Sequence, residues 1–428
     1  MTKRSLNQSE MHLFVIKYKS IIYGVLGICL LQGVISDYVG FRQINYLCDV
    51  LLIILLLVMA CRKQITLTKT IKNIENVSIV AFAVVVLIGW GLNSVTIPRA
   101  FWGARNYGRF FLFYVLARAL WTEDDVKLIE ELFLKLFPIH MILIAFQYVV
   151  EGLNQDFLSG LFGKTGGGNG GLMIYLSIIL CIAVCQFEYK KMSTRKFLCY
   201  LLLIFINAAL SELKFLFIMA ILLVVWYLAM SKRKGRGMIL ALFFVIALYI
   251  GMQIFYYVFP FWADYLSFDN IMTILCDQEV YASQFDVGRT AVFSKLSPII
   301  TKWAGKDALL FGIGLGNGDY SDTFPILNSA FYNVYGLMHY TWLSLGYLFV
   351  EVGYIGTIVY ISFFVILEIK AIVAYQKRST YYNLLGTFFP MVFMIIMVYN
   401  STLRSNYAYM VFAVLTWQTL TDSGNEEE

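Results

Sequence analysis

Charge is scarce in this chain. Asp, Glu, Lys and Arg make up 14% of 428 residues, against 60% hydrophobic and 17% aromatic, whereas a soluble domain carries about 25% charged residues. That scarcity excludes a water-soluble globule. Strict in-out alternation over about ten residues is also missing, which excludes a strand-built barrel. There are three histidines and no acidic or His-rich cluster in the segments assigned below to the outer face, so no metal site is expected. The seven cysteines (Cys29, Cys48, Cys61, Cys181, Cys185, Cys199 and Cys276) lack metal-ligand spacing and form no disulfide framework. Lys3, Arg4, Lys17 and Lys19 precede the apolar run Ile21 to Ile35, but no small-x-small cleavage site follows, so this run reads as an uncleaved first span. The chain has no internal repeat.

Continuous apolar runs, many of about 15 to 22 residues, recur along the whole length. A helix rising ~1.5 Å per residue needs about 20 residues to cross ~30 Å of hydrocarbon. The fold class is an all-α polytopic membrane protein of about twelve transmembrane helices, at 20–37, 44–61, 77–93, 107–120, 132–150, 171–187, 197–211, 213–230, 238–258, 342–367, 384–399 and 408–420. The formal charge of +6 signals topology, not nucleic acid, because most basic residues lie in short loops beside apolar runs. Alternate segments collect them: Lys3 to Lys19, then Arg62, Lys63, Lys69 and Lys72, then Lys127, then Lys190, Lys191, Arg195 and Lys196, then Lys232, Arg233, Lys234 and Arg236, then Lys370, Lys377 and Arg378. These segments, and with them both termini, are placed inside. The rule does not place the acidic loop Trp121 to Glu131, and the 107–120 run is short and carries two arginines.

The chain divides into a bundle of about nine helices (1–258), a large extracytoplasmic loop (259–341), a second bundle of about three helices (342–420) and an acidic tail (421–428). Loops as long as 259–341 are usually functional in a compact protein. Its start, Phe255 to Trp262, is aromatic and suits the membrane interface. Val287, Val292, Phe293 and Leu296 have helical spacing, which predicts an amphipathic helix between Val287 and Ile300.

The polar residues near the outer face are mostly cations. Arg99, Arg105 and Arg109 surround the start of the fourth span, Lys164 lies in a glycine-rich loop, Lys214 starts the eighth span, Arg289 and His339 lie in the long loop and Arg404 in the last outer loop. Guanidinium forks pair two oxygens at once and stay charged, which is what binding a diphosphate requires. Singly, each has the alternative of snorkelling to the interface. For Lys214 the alternative is a turn-capping pair with Glu212. Gly163 to Gly171 imitates a nucleotide phosphate loop, but the pattern needs a glycine where Leu158 stands. It is either a backbone cradle for a lipid-linked phosphate or sugar, or a plain flexible turn. The run Gly312-Ile313-Gly314-Leu315-Gly316-Asn317-Gly318 imitates a dinucleotide fingerprint without the βαβ unit that would support one. His140, inside an apolar span, reads as a satisfied core imidazole. His339 has outside exposure, and an imidazole there can orient or deprotonate a hydroxyl. Glu351, twelve residues on, is over three helical turns away and is not its direct partner.

Arg289 in Gly288-Arg289-Thr290-Ala291-Val292-Phe293, then the run from Phe311 to Gly318, then His339 leading into Glu351-Val352-Gly353-Tyr354-Ile355-Gly356 make up a recognisable order. With the twelve-span layout and one enlarged late outer loop, it resembles the bacterial O-antigen polymerase and O-antigen ligase superfamily. The motif resemblance covers about 287–356. Tyr340 stands where the family often has asparagine after its histidine.

The resemblance implies a C-type glycosyltransferase fold in the bacterial plasma membrane, using neither nucleotide sugar nor metal, with its site facing the periplasm or cell exterior. The donor would be a glycan on undecaprenyl diphosphate and the acceptor the next lipid-linked repeat unit, in O-antigen, capsule or exopolysaccharide synthesis. A chain-length regulator and a flippase of the same pathway are its implied partners. Arg289 would hold the diphosphate, helped by Arg105, Arg109, Lys164, Lys214, Arg404 or Arg99, and His339 would act on the acceptor hydroxyl. Two alternatives stay open: a ligase that moves the glycan to a different acceptor, and a flippase or exporter of the lipid-linked oligosaccharide. Transporters often show symmetry between halves, and none is visible here.

Overall fold

The computed structural model describes residues 8–61, 73–232, 234–261 and 286–423, and no strand occurs among them. Lys3, Arg4, Arg62, Lys63, Lys69, Lys72, Arg233, Trp262, Cys276 and the tail residues 424–428 lie outside the described residues. The helices are α1 (Gln8–Val34), α2 (Ile44–Cys61), α3 (Ile74–Asn93), α4 (Ile97–Leu120), α5 (Glu123–Val149), α6 (Gly168–Glu188), α7 (Thr194–Leu210), α8 (Lys214–Met230) and α9 (Lys234–Val258). They continue with α10 (Val292–Ala304), α11 (Asp307–Phe311), α12 (Ala330–Tyr335), α13 (Ser344–Lys377), α14 (Tyr381–Gly386), α15 (Phe389–Tyr399) and α16 (Ala408–Ser423). Among the described residues, eight stretches are long and apolar enough to cross a membrane: Tyr18–Val39, α2, α3, α5, α6, α9, α13 and Tyr381–Tyr399. The protein is therefore a polytopic helical membrane protein. The other four apolar runs are helical too, as α4, α7, α8 and α16, but each is too polar or too short to meet that measure.

Helix α6 is the hub. Its apolar window is 89% buried, against 28% for α2 and α9, so α6 is enclosed by protein while α2 and α9 keep most of their surface for lipid. Local signals set several helix starts. Pro98 falls in the first turn of α4, where its missing N–H costs nothing. Thr122 and Asp125 form a reciprocal capping box on α5.

Connections alternate between two ends of the bundle. At one end Lys19 meets Asp125 at 2.5 Å, Glu75 takes both Arg118 and Lys370, Gln186 and Tyr381 both bond Glu130, and Tyr189 reaches Ser379. The acidic segment that the charge rule leaves unplaced thus lies at the end where Lys19 and Lys370 stand, and its Asp125 pairs with Lys19. At the other end Tyr38 bonds Glu151, Lys164 N–H bonds Asp37, Arg99 bonds the Asn328 carbonyl, and Arg404 pairs with Asp319.

Several sequence boundaries need correction. The fourth run is not 107–120 but the 24-residue α4, about 36 Å long. Arg99 and Arg105 therefore sit inside a helix, and Arg118 is paid for by buried Glu75. The tenth run extends to Lys377, and the 384–399 run is split between α14 and α15. The amphipathic helix in the long loop starts at Val292, where Val292, Leu296 and Ile300 form its buried face; Val287 precedes it. Asp422 belongs to the last helix and not to a tail. Within the 259–341 segment, residues 312–319 thread into the bundle among α3, α4 and α13.

Candidate functional site

The threading depends on glycine. Gly312, Gly314 and Gly316 all have positive φ, at 73°, 94° and 94°, a region that disfavours side chains. A Cβ on Gly312 would stand 2.2 Å from the Glu351 backbone, and one on Gly316 would stand 2.0 Å from the Arg99 carbonyl. Helix α13 breaks at Gly353, φ 65°, which frees carbonyls of the preceding turn. The run takes them: Ile313 N–H donates to Val350 O at 2.9 Å and Gly314 N–H to Glu351 O at 3.1 Å. Helix α3 supplies the converse bonds, from Trp90 Nε1 to Leu315 O and from Asn93 Nδ2 to Gly312 O. The fingerprint-like run is thus a packing device.

It delivers Asp319 to a buried charged cluster. Arg404 Nη2 lies 2.6 Å from Asp319 Oδ2 and 3.5 Å from Glu351 Oε2. Asn106 donates to Asp319 at 2.5 Å, and Gly316 N–H donates to Glu351 Oε1 at 2.9 Å. The Arg404 guanidinium lies over the rings of Tyr347 (3.5 Å) and Tyr107 (5.1 Å). Burial opposes its charge, but Asp319 foremost holds its pKa well above the ordinary value. Arg404 thus has two carboxylate partners, while its Nε and Nη1 are buried without a hydrogen bond.

Beside this cluster lies a polar cavity of ≈ 640 Å³, walled by the cations Arg42, Arg105 and Arg109, the carboxylates Asp37 and Asp322, the amides Gln32, Asn45 and Asn406, and the glycine-rich segment at Thr165, Gly167 and Gly168. Helix α6 starts at that wall, with Gly168 its first residue. Arg105 holds Asp49 Oδ2 through Nε and Nη2, both at 2.7 Å. Arg109 reaches Asp49 Oδ1 at 3.3 Å, Asn406 Oδ1 at 2.6 Å and the Arg404 carbonyl at 2.8 Å. Its Nε is buried without a hydrogen-bond partner. Asp49 takes both guanidinium groups and accepts from the Tyr409 hydroxyl on Oδ1 at 3.2 Å, while Arg42 is exposed. Tyr46 and Trp102 flank Arg105, with its guanidinium 5.2 and 4.8 Å from their rings.

The remaining sequence candidates fall elsewhere on the same end. Lys164 turns away from the cavity to Glu151 at 3.1 Å and lies over the Tyr38 ring. The Tyr38 hydroxyl, ahead of Lys164, holds the Glu151 carboxyl below its usual range. Because this pair is partly exposed, Lys164→Ala is expected to move the unfolding midpoint in mixed detergent micelles by no more than about 0.5 kcal/mol. Lys214 pairs with Glu212 at 2.9 Å within the α7–α8 turn, within electrostatic range of Arg289 and Asp156. Arg99 bonds the Asn328 carbonyl. Arg289 Nε donates to the Tyr399 carbonyl at 3.0 Å and its guanidinium lies 4.4 Å from that ring. His339 Nδ1 lies 2.7 Å from Asp286 Oδ1, and Glu351 is not its partner. The 399–407 segment joins the two groups: Arg289 bonds its first residue, and Arg109 bonds Arg404 and Asn406. His140 is buried, with Nδ1 accepting from Leu161 N–H and Nε2 2.7 Å from the Asn207 amide.

Asp49, Asp319, Asp286 and Arg42 did not emerge from the sequence as site residues. For Asp49 a signal existed: it is the one charge in the apolar run of α2, and an intramembrane charge marks function by default. Among the described residues no three His, Cys, Asp or Glu side chains converge as metal ligands. Comparison with protein-family models, curated proteins and solved structures finds no match to this chain.

Proposed function

We propose that this protein polymerises lipid-linked polysaccharide repeat units, in O-antigen, capsule or exopolysaccharide synthesis, and that its twelve apolar runs all cross the bacterial plasma membrane with the Arg404 end outward. The growing glycan leaves undecaprenyl diphosphate and joins a hydroxyl of the next lipid-linked repeat unit. The observation that carries this reading is the polar cavity at that end, where Arg42, Arg105 and Arg109 meet the start of α6. Arginine forks and a helix N-terminus are an anion site, and the surrounding amides, hydroxyls and aromatic rings suit sugars. The order of Arg289, glycine run and His339 adds the family resemblance. Chemically, a diphosphate is already a good leaving group, so catalysis consists of aligning the acceptor hydroxyl with the anomeric carbon and stabilising the departing charge.

The test is reconstitution in proteoliposomes with polyprenyl-diphosphate-linked oligosaccharide from the same host and no nucleotide sugar, read on a gel as a ladder of longer glycans. Arg105→Ala is expected to cut turnover at limiting substrate by about ten- to a hundredfold, the value of a lost charged hydrogen bond. Substrate that changes leaflet without lengthening would replace this reading with a transporter. Transfer to a different acceptor without a ladder would replace it with a ligase.

A further inference from the structure

His339 is held from three sides. Its backbone is left-handed, φ 54°, at the end of a 3-10 turn, with its N–H on the Gly336 carbonyl. Its ring stacks on Trp342, centroids 3.9 Å apart and planes 19° apart. Nδ1 sits 2.7 Å from Asp286 Oδ1.

Asp286 is itself fixed. The next residue, buried Val287, donates its N–H to the Met338 carbonyl, tying the two strands of chain together one residue from the contact. Lys295 Nζ on α10 donates to the Asp286 carbonyl at 2.7 Å. The aspartate side chain is 13% exposed and the imidazole 36%, so the carboxylate is sheltered while part of the ring faces out.

A carboxylate accepts hydrogen bonds and cannot donate one. Opposite it, the proton of a neutral imidazole belongs on Nδ1, which leaves the lone pair on Nε2. The partner of one ring nitrogen thus decides what the other can do. We propose that Asp286 is a positioning residue that locks His339 in the Nδ1–H form, with Nε2 as the base for the acceptor hydroxyl. This rests on the polymerase reading above. In the step it serves, the acceptor oxygen attacks the anomeric carbon of the donor and the bond from that carbon to the diphosphate oxygen breaks. The bonding pair leaves with polyprenyl diphosphate, and the acceptor proton passes to His339 Nε2 and then to water. Trp342 holds the ring plane, so the lone pair keeps one direction.

With three histidines in the whole chain, the tautomer can be read directly. Full-length protein carrying 15N-histidine is placed in nanodiscs, and the His339 signal is assigned by its loss in His339→Gln. Wild type should show a protonated Nδ1 and an unprotonated Nε2. In Asp286→Asn the amide can turn its NH2 toward Nδ1, so the protonated nitrogen should change or become mixed. The buried His140 signal, unmoved, reports that the variant is folded. On lipid-linked substrate, kcat of Asp286→Asn should fall about a hundredfold or more with KM little changed, and adding His339→Gln should cost little further. Wild-type His339 protonated on Nε2 would overturn the proposal, as would an Asp286→Asn tautomer shift that leaves kcat untouched. If wild type shows the Nδ1–H form but never lengthens a glycan, it is the polymerase reading and its proton transfer that fail, and the Asp286 lock alone stands.

Discussion

Arg404→Ala is expected to destabilise the protein by about 3–5 kcal/mol, the range found when one partner of a buried ion pair is removed. Asp319 and Glu351 are 3% and 0% exposed, so neither has water to replace the guanidinium. The measurement is the fraction folded in mixed detergent micelles as the denaturing detergent is raised. Arg404→Met combined with Asp319→Asn should recover a substantial part of the loss, because it removes one of the two carboxylate charges that the single variant strands. A single variant as stable as wild type would show that the pair is not a buried one. Arg404→Lys should fall between, since an ammonium cannot span two carboxylates and lie flat between Tyr107 and Tyr347.

Gly316→Ala should be as severe, roughly 2–6 kcal/mol, because two costs add: a side chain at φ 94° and a Cβ 2.0 Å from the Arg99 carbonyl. The same detergent titration measures it. Gly108→Ala is the internal comparison. It lies within α4, where a Cβ meets nothing within 4 Å, so it should be neutral or stabilise by up to about 1 kcal/mol through helix propensity. If the two variants unfolded alike, the glycine run would have room that its geometry denies. Loss of the proposed glycan lengthening in Gly316→Ala without loss of stability would instead assign the run a direct part in that reaction.

The helices were legible because a bilayer forces every backbone polar group to be satisfied within the segment, so apolar length alone marks them. What escaped is polarity between segments far apart in the chain. Arg105 and Arg109 look like bare cations in the sequence, but Asp49, on α2, meets both. Glu351 is too far along the chain from His339 to pair with it, and its partner, Arg404, arrives from another loop. Two glycine-rich stretches look alike by composition. Only the first borders the polar cavity, while the second packs the bundle. The fourth run looks short in the sequence because the first turns of α4 carry Arg99 and Arg105, whose charges are met by the Asn328 carbonyl and Asp49.

The break at Gly353 also imposes an order of events during synthesis. The ribosome makes α3 and the glycine run before α13. Trp90 and Asn93 are therefore on hand to engage the run's carbonyls, while its amide hydrogens at Ile313 and Gly314 must wait for Val350 and Glu351 to emerge. Half of this buried seam is stitched by chain already made and half by chain still to come. A nascent chain halted between residues 319 and 350 would hold the run by one edge, with no partner for the other.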